Sequence, residues 1–400
     1  MTPGAVFEEL AGQEAVVAEL RRAVSAAAAA PAGGGRTAAA GMTHAWLFTG
    51  PPGSGRSVAA RAFAAALLCS DQGCSECPSC RQVAVGSHAD LLLVRPDGLS
   101  YGVRQTRDLV LRAAAAPVCG RWRVVLFEDA DRATEQAANA LLKAIEEPAP
   151  RTVWMLCAPS ADDLPTTIRS RCRLVTLRIP KTAAVAEVLV RDGVGPGEAQ
   201  AAARAAQGHI GRARRLATDP EAARRRAAVL RLPLQLNGGP GGGLGRALTA
   251  AAALVKSAEG EAAAVTEELD VPERDALRRA FGEGSTGKGV ASAVRGVAGA
   301  MRELEDRQKS RNTRLKRDAL DRALLDLAGF YRDVLAVQLG ADVELATAGQ
   351  PDELQEFAAA SRPESTVRRM EAIMRCRERL AASVAPLLAV EEMAIALAAR

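Results

Sequence analysis

A chain of 400 residues has room for two or three domains and a sizeable core, and its net charge of +5 permits nucleic-acid contact without requiring it. Aromatic residues make up only 3% of the chain while alanine is abundant, which favours helices packed through small side chains. No apolar run is long and pure enough for a membrane span and the start, Met1 to Glu9, lacks a signal-peptide pattern, so a cytoplasmic protein is expected whose eight cysteines are thiols or metal ligands rather than disulfides.

Phe7 to Val24 has helical spacing, with Leu10, Val16, Val17 and Leu20 as its apolar positions. Ser25 to Gly41 is mostly alanine, glycine and proline, the composition of a flexible surface insertion. Ala45 to Phe48 is a short apolar run, expected as a buried strand. It leads into the turn Gly50-Pro51-Pro52-Gly53-Ser54-Gly55-Arg56-Ser57, and a helical pattern runs from Val58 to Leu68. Strand, glycine turn and helix form the setting of a phosphate-binding loop, because glycines let backbone N–H groups curl round an anion and the helix N-terminus adds its positive end. The pattern asks for glycine, four residues, then Gly-Lys-Ser or Gly-Lys-Thr. Gly50, Gly55 and Ser57 match it, but Arg56 stands in the lysine position. Arginine is a planar fork on a longer stem, not a compact point charge, so the loop has nucleotide-binding architecture with altered chemistry. The competing reading is a plain strand-to-helix turn.

Cys69 to Cys80 is a compact polar loop with cysteines at 69, 74, 77 and 80. Leu91 to Val94 is the next expected strand and Val103 to Ala115 a helix. Arg123 to Phe127 is a strand that ends in two acids, Glu128 and Asp129. Thr134 to Glu147 is a helix stopped by Pro148 and Pro150. Thr152 to Cys157 is a strand, Leu164 to Cys172 contains a helical turn, and Leu174 to Leu177 is the last strand. Apolar strands alternating with helices predict an α/β domain over 1–180 with a parallel sheet covered on both faces. Strand signals stop after Pro180. A small helical lid is expected over 181–236, a glycine-rich linker over 237–245, and an all-helical domain over 246–400 with loops near Gly282–Gly289 and Gly340–Pro351. Arg302 to Arg322 is densely and mixedly charged. A solvated face laced with ion pairs is the favoured reading, and a DNA or partner contact the sharper one.

Four constellations carry chemistry. In nucleotide hydrolases an aspartate at a strand end helps hold Mg2+ and a following glutamate polarises the attacking water. Here the order is reversed, Glu128 before Asp129, which misplaces both carboxylates by a methylene and, with Arg56, argues against fast ATP hydrolysis. Cys69, Cys74, Cys77 and Cys80 can close a tetrahedral Zn2+ site with no position left for water, hence a structural one; free or redox thiols are the alternative. Arg169 and Arg171, in Ile168-Arg169-Ser170-Arg171-Cys172, either reach a neighbour's phosphate or close a helix-terminal salt bridge. The run Gly208-His209-Ile210-Gly211-Arg212 is either a phosphate-sensing lid helix or a basic surface helix.

These residues resemble one family: the clamp-loader subunits of bacterial DNA polymerase III, within the AAA+ class. The resemblance covers about Phe7 to Leu216. It rests on Gly12-Gln13, His44 to Gly50, the cysteine loop, Asn139-Ala140-Leu141-Leu142-Lys143-Ala144-Ile145-Glu146-Glu147-Pro148 and Ser170-Arg171-Cys172. Arg56, Glu128-Asp129 and Ala158-Pro159 depart from the gamma/tau motor pattern and look like the delta-prime stator type. The resemblance implies a RecA-like domain with a zinc loop, a helical lid, and a helical collar that packs with gamma/tau and delta subunits into a five-membered ring. That ring opens a sliding clamp and closes it round primed DNA. It casts Arg171 as an arginine finger acting in trans and Arg212 as the lid sensor. It leaves binding of ATP and Mg2+ at Gly50, Pro51, Gly53, Ser54, Gly55, Arg56 and Ser57 open. An ATP-hydrolysing gamma/tau-like motor is the alternative. A polymerase in its own right would need an acidic palm pattern that the sequence lacks, so the polymerase link is one of membership in the holoenzyme.

Overall fold

The computed structural model describes residues 3–29, 41–96, 98–237, 243–280, 290–347 and 351–399. They divide into two compact units, one of Met1–Pro96 with Ser100–Ala217 and one of Asp97–Leu99 with Thr218–Arg400.

The first unit is built on five parallel strands: β1 (Ala45–Thr49), β2 (Leu91–Val94), β3 (Arg123–Phe127), β4 (Thr152–Ala158) and β5 (Arg173–Thr176), in the spatial order β2-β3-β4-β1-β5. The strands β1, β3 and β4 are buried throughout, which requires cover on both faces. Side chains alternate between the faces. On one face Trp46, Phe48, Val124, Leu126 and Met155 pack under α1 (Glu14–Ala29), α2 (Arg56–Leu68) and α3 (Pro78–Val85). On the other, Leu47, Val125, Phe127, Trp154 and Leu156 meet α4 (Val103–Ala113), α5 (Glu135–Glu146) and α6 (Thr166–Arg169). The α/β architecture expected from the alternating pattern is the one the chain forms. Thr134 caps α5 by accepting from the Ala137 N–H at 3.2 Å. Helices α7 (Thr182–Arg191), α8 (Pro196–Ala206) and α9 (Ile210–Thr218) complete this unit through a small core of Val185, Leu189, Ala199 and Ala203.

The second unit is helical: α10 (Pro220–Asn237), α11 (Gly243–Ala280), α12 (Val290–Gln338), α13 (Pro351–Ala359), α14 (Pro363–Ala381) and α15 (Pro386–Ala398). Its core gathers Leu324, Leu327, Phe330, Tyr331, Phe357, Ile373 and Val390.

Four boundaries differ from the sequence expectation. The first helix begins at Glu14, after a short 3-10 turn at Ala5–Phe7, and runs on to Ala29, because Ala26 and Ala27 continue its buried stripe. Of the expected 25–41 insertion, residues 30–40 lie outside the described residues. The cysteine loop contains the start of a helix, since Cys77 caps α3 and Pro78 fits its first turn. The lid ends at α9, not at 236, because α10 buries Val229, Leu230 and Leu236 in the core of the second unit. Asn237 ends α10 and Gly243 to Gly245 begin α11; the rest of the expected linker, 238–242, and the expected loop at 282–289 lie outside the described residues.

Candidate nucleotide-like site and cysteine centre

The turn after β1 has the backbone that phosphate loops need. Gly50, Gly53 and Gly55 have φ of +151°, +92° and +90°, the last two in the left-handed region that a side chain would strain. Gly55 caps the 13-residue α2, so the helix N-terminus opens onto the turn. A cavity of about 240 Å³ lies between the turn and α9, lined by Gln13, Gly53 to Val58, His209, Ile210, Gly211 and Arg214 among others. It is smaller than the ~300–1,000 Å³ of ordinary small-molecule pockets. The Ser54 side chain lines it, and the Ser54 hydroxyl is buried with no hydrogen-bond partner. Gln13 ties the chain's first segment to this wall. Its Nε2 donates to the Arg178 carbonyl at 2.6 Å and its Oε1 accepts from the Arg178 N–H at 3.2 Å.

The lid rests on the loop through His209. A Cβ placed on Gly53 would stand 2.7 Å from the His209 Cβ. The His209 ring in turn caps α9, its Nδ1 accepting from the Arg212 N–H at 3.2 Å. The α9 arginine that lines the cavity is Arg214, which also pairs with Asp192 at 2.7 Å; Arg212, the residue expected from the sequence, is not among the lining residues.

The cationic groups of this region engage the loop and the end of β3 directly. Arg56 Nη1 donates back to the Gly50 carbonyl at 2.8 Å. At the end of β3, Glu128 is buried and clamped: Arg61 Nη2 reaches Oε1 at 3.0 Å and Arg95 Nε reaches Oε2 at 2.7 Å. Asp129 has φ +49° and stands 3.9 Å from Arg132. Burial and the neighbouring Asp129 raise the pKa of Asp131. Burial pushes up the pKa of the Cys157 thiol near the end of β4. The turn thus has the backbone of an anion-binding loop, while the carboxylate that ends β3 is paired with two guanidinium groups.

Four sulfurs converge beside this domain. The ligand atoms of Cys69, Cys74, Cys77 and Cys80 all lie within 4.8 Å of one another. Sγ of Cys69 is 3.7 Å from that of Cys74 and 3.6 Å from that of Cys77. Metal–sulfur bonds of ~2.3 Å in a tetrahedron put sulfurs about 3.8 Å apart, so the spacing matches a closed four-thiolate centre. Burial works against ionising Cys69, yet N–H groups of Cys74, Gly73 and Asp71 bring its pKa down to about 7. The Cys80 N–H donates to the Cys77 sulfur at 3.3 Å. The cluster could hold a metal ion. The dispersed cysteines separate from it: Cys157 and Cys376 are buried, Cys172 is half-buried with a pKa raised by burial to about 12, and Cys119 is exposed.

A family model described as "DNA polymerase III, delta subunit" matches residues 36–181. A delta' subunit of DNA polymerase III from Pseudomonas aeruginosa is 38% identical over 154 residues, covering 37% of this chain and 47% of that protein. The delta' subunit from Bacillus subtilis is 32% identical over 194 residues, covering 48% of this chain and 59% of that protein. The gamma/tau subunit from Mycobacterium tuberculosis H37Rv is 34% identical over 200 residues, covering 48% of this chain and 32% of that protein. The chain spans about half the length, or less, of these curated relatives. Over that stretch it is similar to subunits of DNA polymerase III, delta' and gamma/tau alike.

Within the matched stretch, Arg171 lies between α6 and β5 at the surface, about a third exposed. Its Nη2 meets Glu146 at 3.1 Å and its Nη1 the Thr167 carbonyl at 2.9 Å. Glu146 belongs to the Asn139–Pro148 string that carried the resemblance. Arg169 pairs with Asp162. Sequence reasoning passed over Arg61 and Arg95 as site residues. Arg61 left a signal: it is the only charge in the run from Val58 to Leu68. Arg95, directly after a strand, left none, because only the sheet order brings the ends of β2 and β3 together. Among the described residues no helix is long and apolar enough to cross a membrane.

Proposed function

We propose that this chain acts as the delta-prime-type, non-motor subunit of a DNA polymerase III clamp loader in the cytoplasm. It packs with gamma/tau and delta subunits, helps place the sliding clamp on primed DNA, and offers Arg171 to the nucleotide held by an adjacent motor subunit. One observation carries this reading: Glu128, the residue at the position of the metal-holding acid, is clamped between Arg61 and Arg95. A carboxylate so paired neither recruits Mg2+ nor polarises water, so the energy of ATP hydrolysis has to come from a neighbour. Arg171 sits at the surface on a short helix end, tethered by an exposed and therefore weak ion pair to Glu146 that a phosphate can displace. The four-cysteine cluster binds structural Zn2+, which its donor set and spacing favour.

The gamma/tau relative and the intact Gly50, Gly55 and Ser57 favour a second reading, a self-sufficient ATPase motor. One experiment separates the two. The purified chain should show no ATP turnover alone, with or without primed DNA. A loader assembled with Arg171→Ala should lose hydrolysis at the adjacent motor site, where an arginine finger is worth ~10³–10⁵ in rate. Robust turnover by the isolated chain, or unchanged single-site turnover in the Arg171→Ala assembly, would overturn the stator role.

A further inference from the structure

The helical unit buries a cation that no carboxylate answers. Arg369, on α14, is only 5% exposed, and its guanidinium lies over the rings of Tyr331 on α12 and Phe357 on α13, 6.0 and 5.6 Å from their centroids. Its hydrogen bonds run through Nη2 alone, to Asn237 Oδ1 at the end of α10 and to the Ala399 carbonyl just past α15, both at 3.3 Å. Nε and Nη1 are buried without a partner. Tyr331 is fully buried, and its hydroxyl is unpartnered as well. Burial pushes the pKa of that hydroxyl up and the charge of Arg369 draws it part of the way back, so the two groups stand in each other's field and the hydroxyl stays a neutral donor. The nearby carboxylates are spent elsewhere. Asp333 is taken by Arg332 and by the N–H and hydroxyl of Thr347, Asp321 by Arg377, and Glu392 by Arg379. Aromatic faces and the C-terminal ends of two helices offset part of the cost of the buried cation, but they supply partial charges and not a whole one. A buried guanidinium with donors to spare calls for an anion.

We infer that Arg369 and Tyr331 form an anion site inside the helical unit, which takes one chloride-like halide on the free N–H groups of Arg369 with the Tyr331 hydroxyl as a second donor. The charge selects this class of ligand. One guanidinium balances one negative charge, whereas a phosphate or sulfate dianion would bury an excess. Every free donor is shielded from solvent, which favours a monatomic ion over a larger solute. The ion sits where the last residue of α10, the stacked rings of α12 and α13, the arginine of α14 and the end of α15 meet. Its binding therefore ties five helices together and links the stability of this unit to chloride concentration. The inference concerns the helical unit alone, and its failure leaves the roles given to Arg171 and Glu128 untouched.

Bromide is the probe for the site, because anomalous scattering identifies it. Crystals of the full chain grown in sodium bromide are expected to show an anomalous peak in contact with Arg369 Nε or Nη1. Absence of a peak there overturns the inference, and this measurement needs no variant. In solution, chloride replaces gluconate, which is too large to enter, at constant ionic strength while the calorimetric midpoint of the helical unit is followed. A ligand that binds only the folded state should raise that midpoint by about 3–5 °C for each tenfold of chloride above its Kd. Arg369→Met keeps the length of the side chain and removes the charge, so its midpoint should not respond to chloride. A flat response in the wild type, or the same slope in Arg369→Met, overturns the site. Should Arg369→Met fail to fold, the bromide peak alone decides.

Discussion

Arg56 uses one guanidinium nitrogen to hold its own loop, donating to the Gly50 carbonyl at 2.8 Å. The sequence showed that a fork had replaced a point charge, but not where the fork would point, because that depends on the path the backbone takes from Gly50 to Gly55. Asp90 is a contrasting case that the sequence did not flag. It is fully buried at the start of β2, and its carboxylate accepts N–H groups from Val118, Cys119 and Gly120, the latter two at 2.8 and 2.7 Å. Burial opposes its ionisation, but the three donors win and hold its pKa below the ordinary 3.8. A depressed folded-state pKa contributes stability that is present above the unfolded pKa and lost as pH falls through the folded one. Asp90→Asn should therefore destabilise the first unit by about 1–3 kcal/mol at neutral pH, since an amide presents donors to a nest of donors. Urea melts at neutral pH and at decreasing pH below 3.8 would check this: the gap between wild type and variant should close as the carboxylate is protonated. A gap independent of pH would show that the donors contribute nothing.

At the scale of elements, the strands were legible because fully buried strands are short apolar runs, and α5 because Thr134 and the prolines bracket it. The α3 start was hidden, since cysteine spacing dominates the pattern there and says nothing of a helix whose cap is itself a cysteine. The mixed-charge stretch resolves towards its bland reading: Arg311 meets Glu273 at 2.6 Å, Arg322 meets Glu261 at 2.8 Å, and Lys316 meets Glu259 at 3.3 Å, all reaching from α12 to α11. The cysteine loop has a structural consequence for the cavity. Gly4 and Val6 donate to the Gln72 and Gly73 carbonyls at 3.2 and 3.1 Å, and the segment they begin continues to Glu9, Leu10 and Gln13 on the cavity wall. The cysteine cluster thus holds a strap that ends at the turn after β1. Cys77→Ser should lose the bound zinc, read by elemental analysis. It should also raise amide hydrogen exchange over residues 4–13 and lower the melting temperature of the first unit without abolishing its sheet. Unchanged zinc content and unchanged exchange in that strap would remove the metal centre from the account.

At the scale of the molecule, each unit owns its core. The first closes around two faces of one sheet and a lid cluster; the second closes around Leu324, Tyr331, Phe357 and Ile373, and α10 crosses to it for the same reason, its apolar residues finding their partners there. The sequence placed that division at 237–245 because glycine marks a break in the pattern. The boundary near Thr218 carries no such mark beyond Pro220, and only packing assigns α10 to one side. Separate cores predict separate unfolding. Leu324 is fully buried, and Leu324→Ala should cost about 2–5 kcal/mol through lost burial and the cavity left behind. In a unit of roughly 150–250 residues each kcal/mol moves the midpoint by about 2–4 °C, so a mid-range loss of ~3 kcal/mol should lower one calorimetric transition by roughly 6–12 °C. Cys77→Ser should lower the other transition instead. Two endotherms that respond each to its own variant would show that the α/β unit and the helical unit are thermodynamically distinct, so that the geometry of Arg171 and the turn after β1 is set within the first unit alone. A single endotherm moved by both variants would show the opposite: the units unfold as one, and substitutions in the helical core reach the site through the stability of the whole chain.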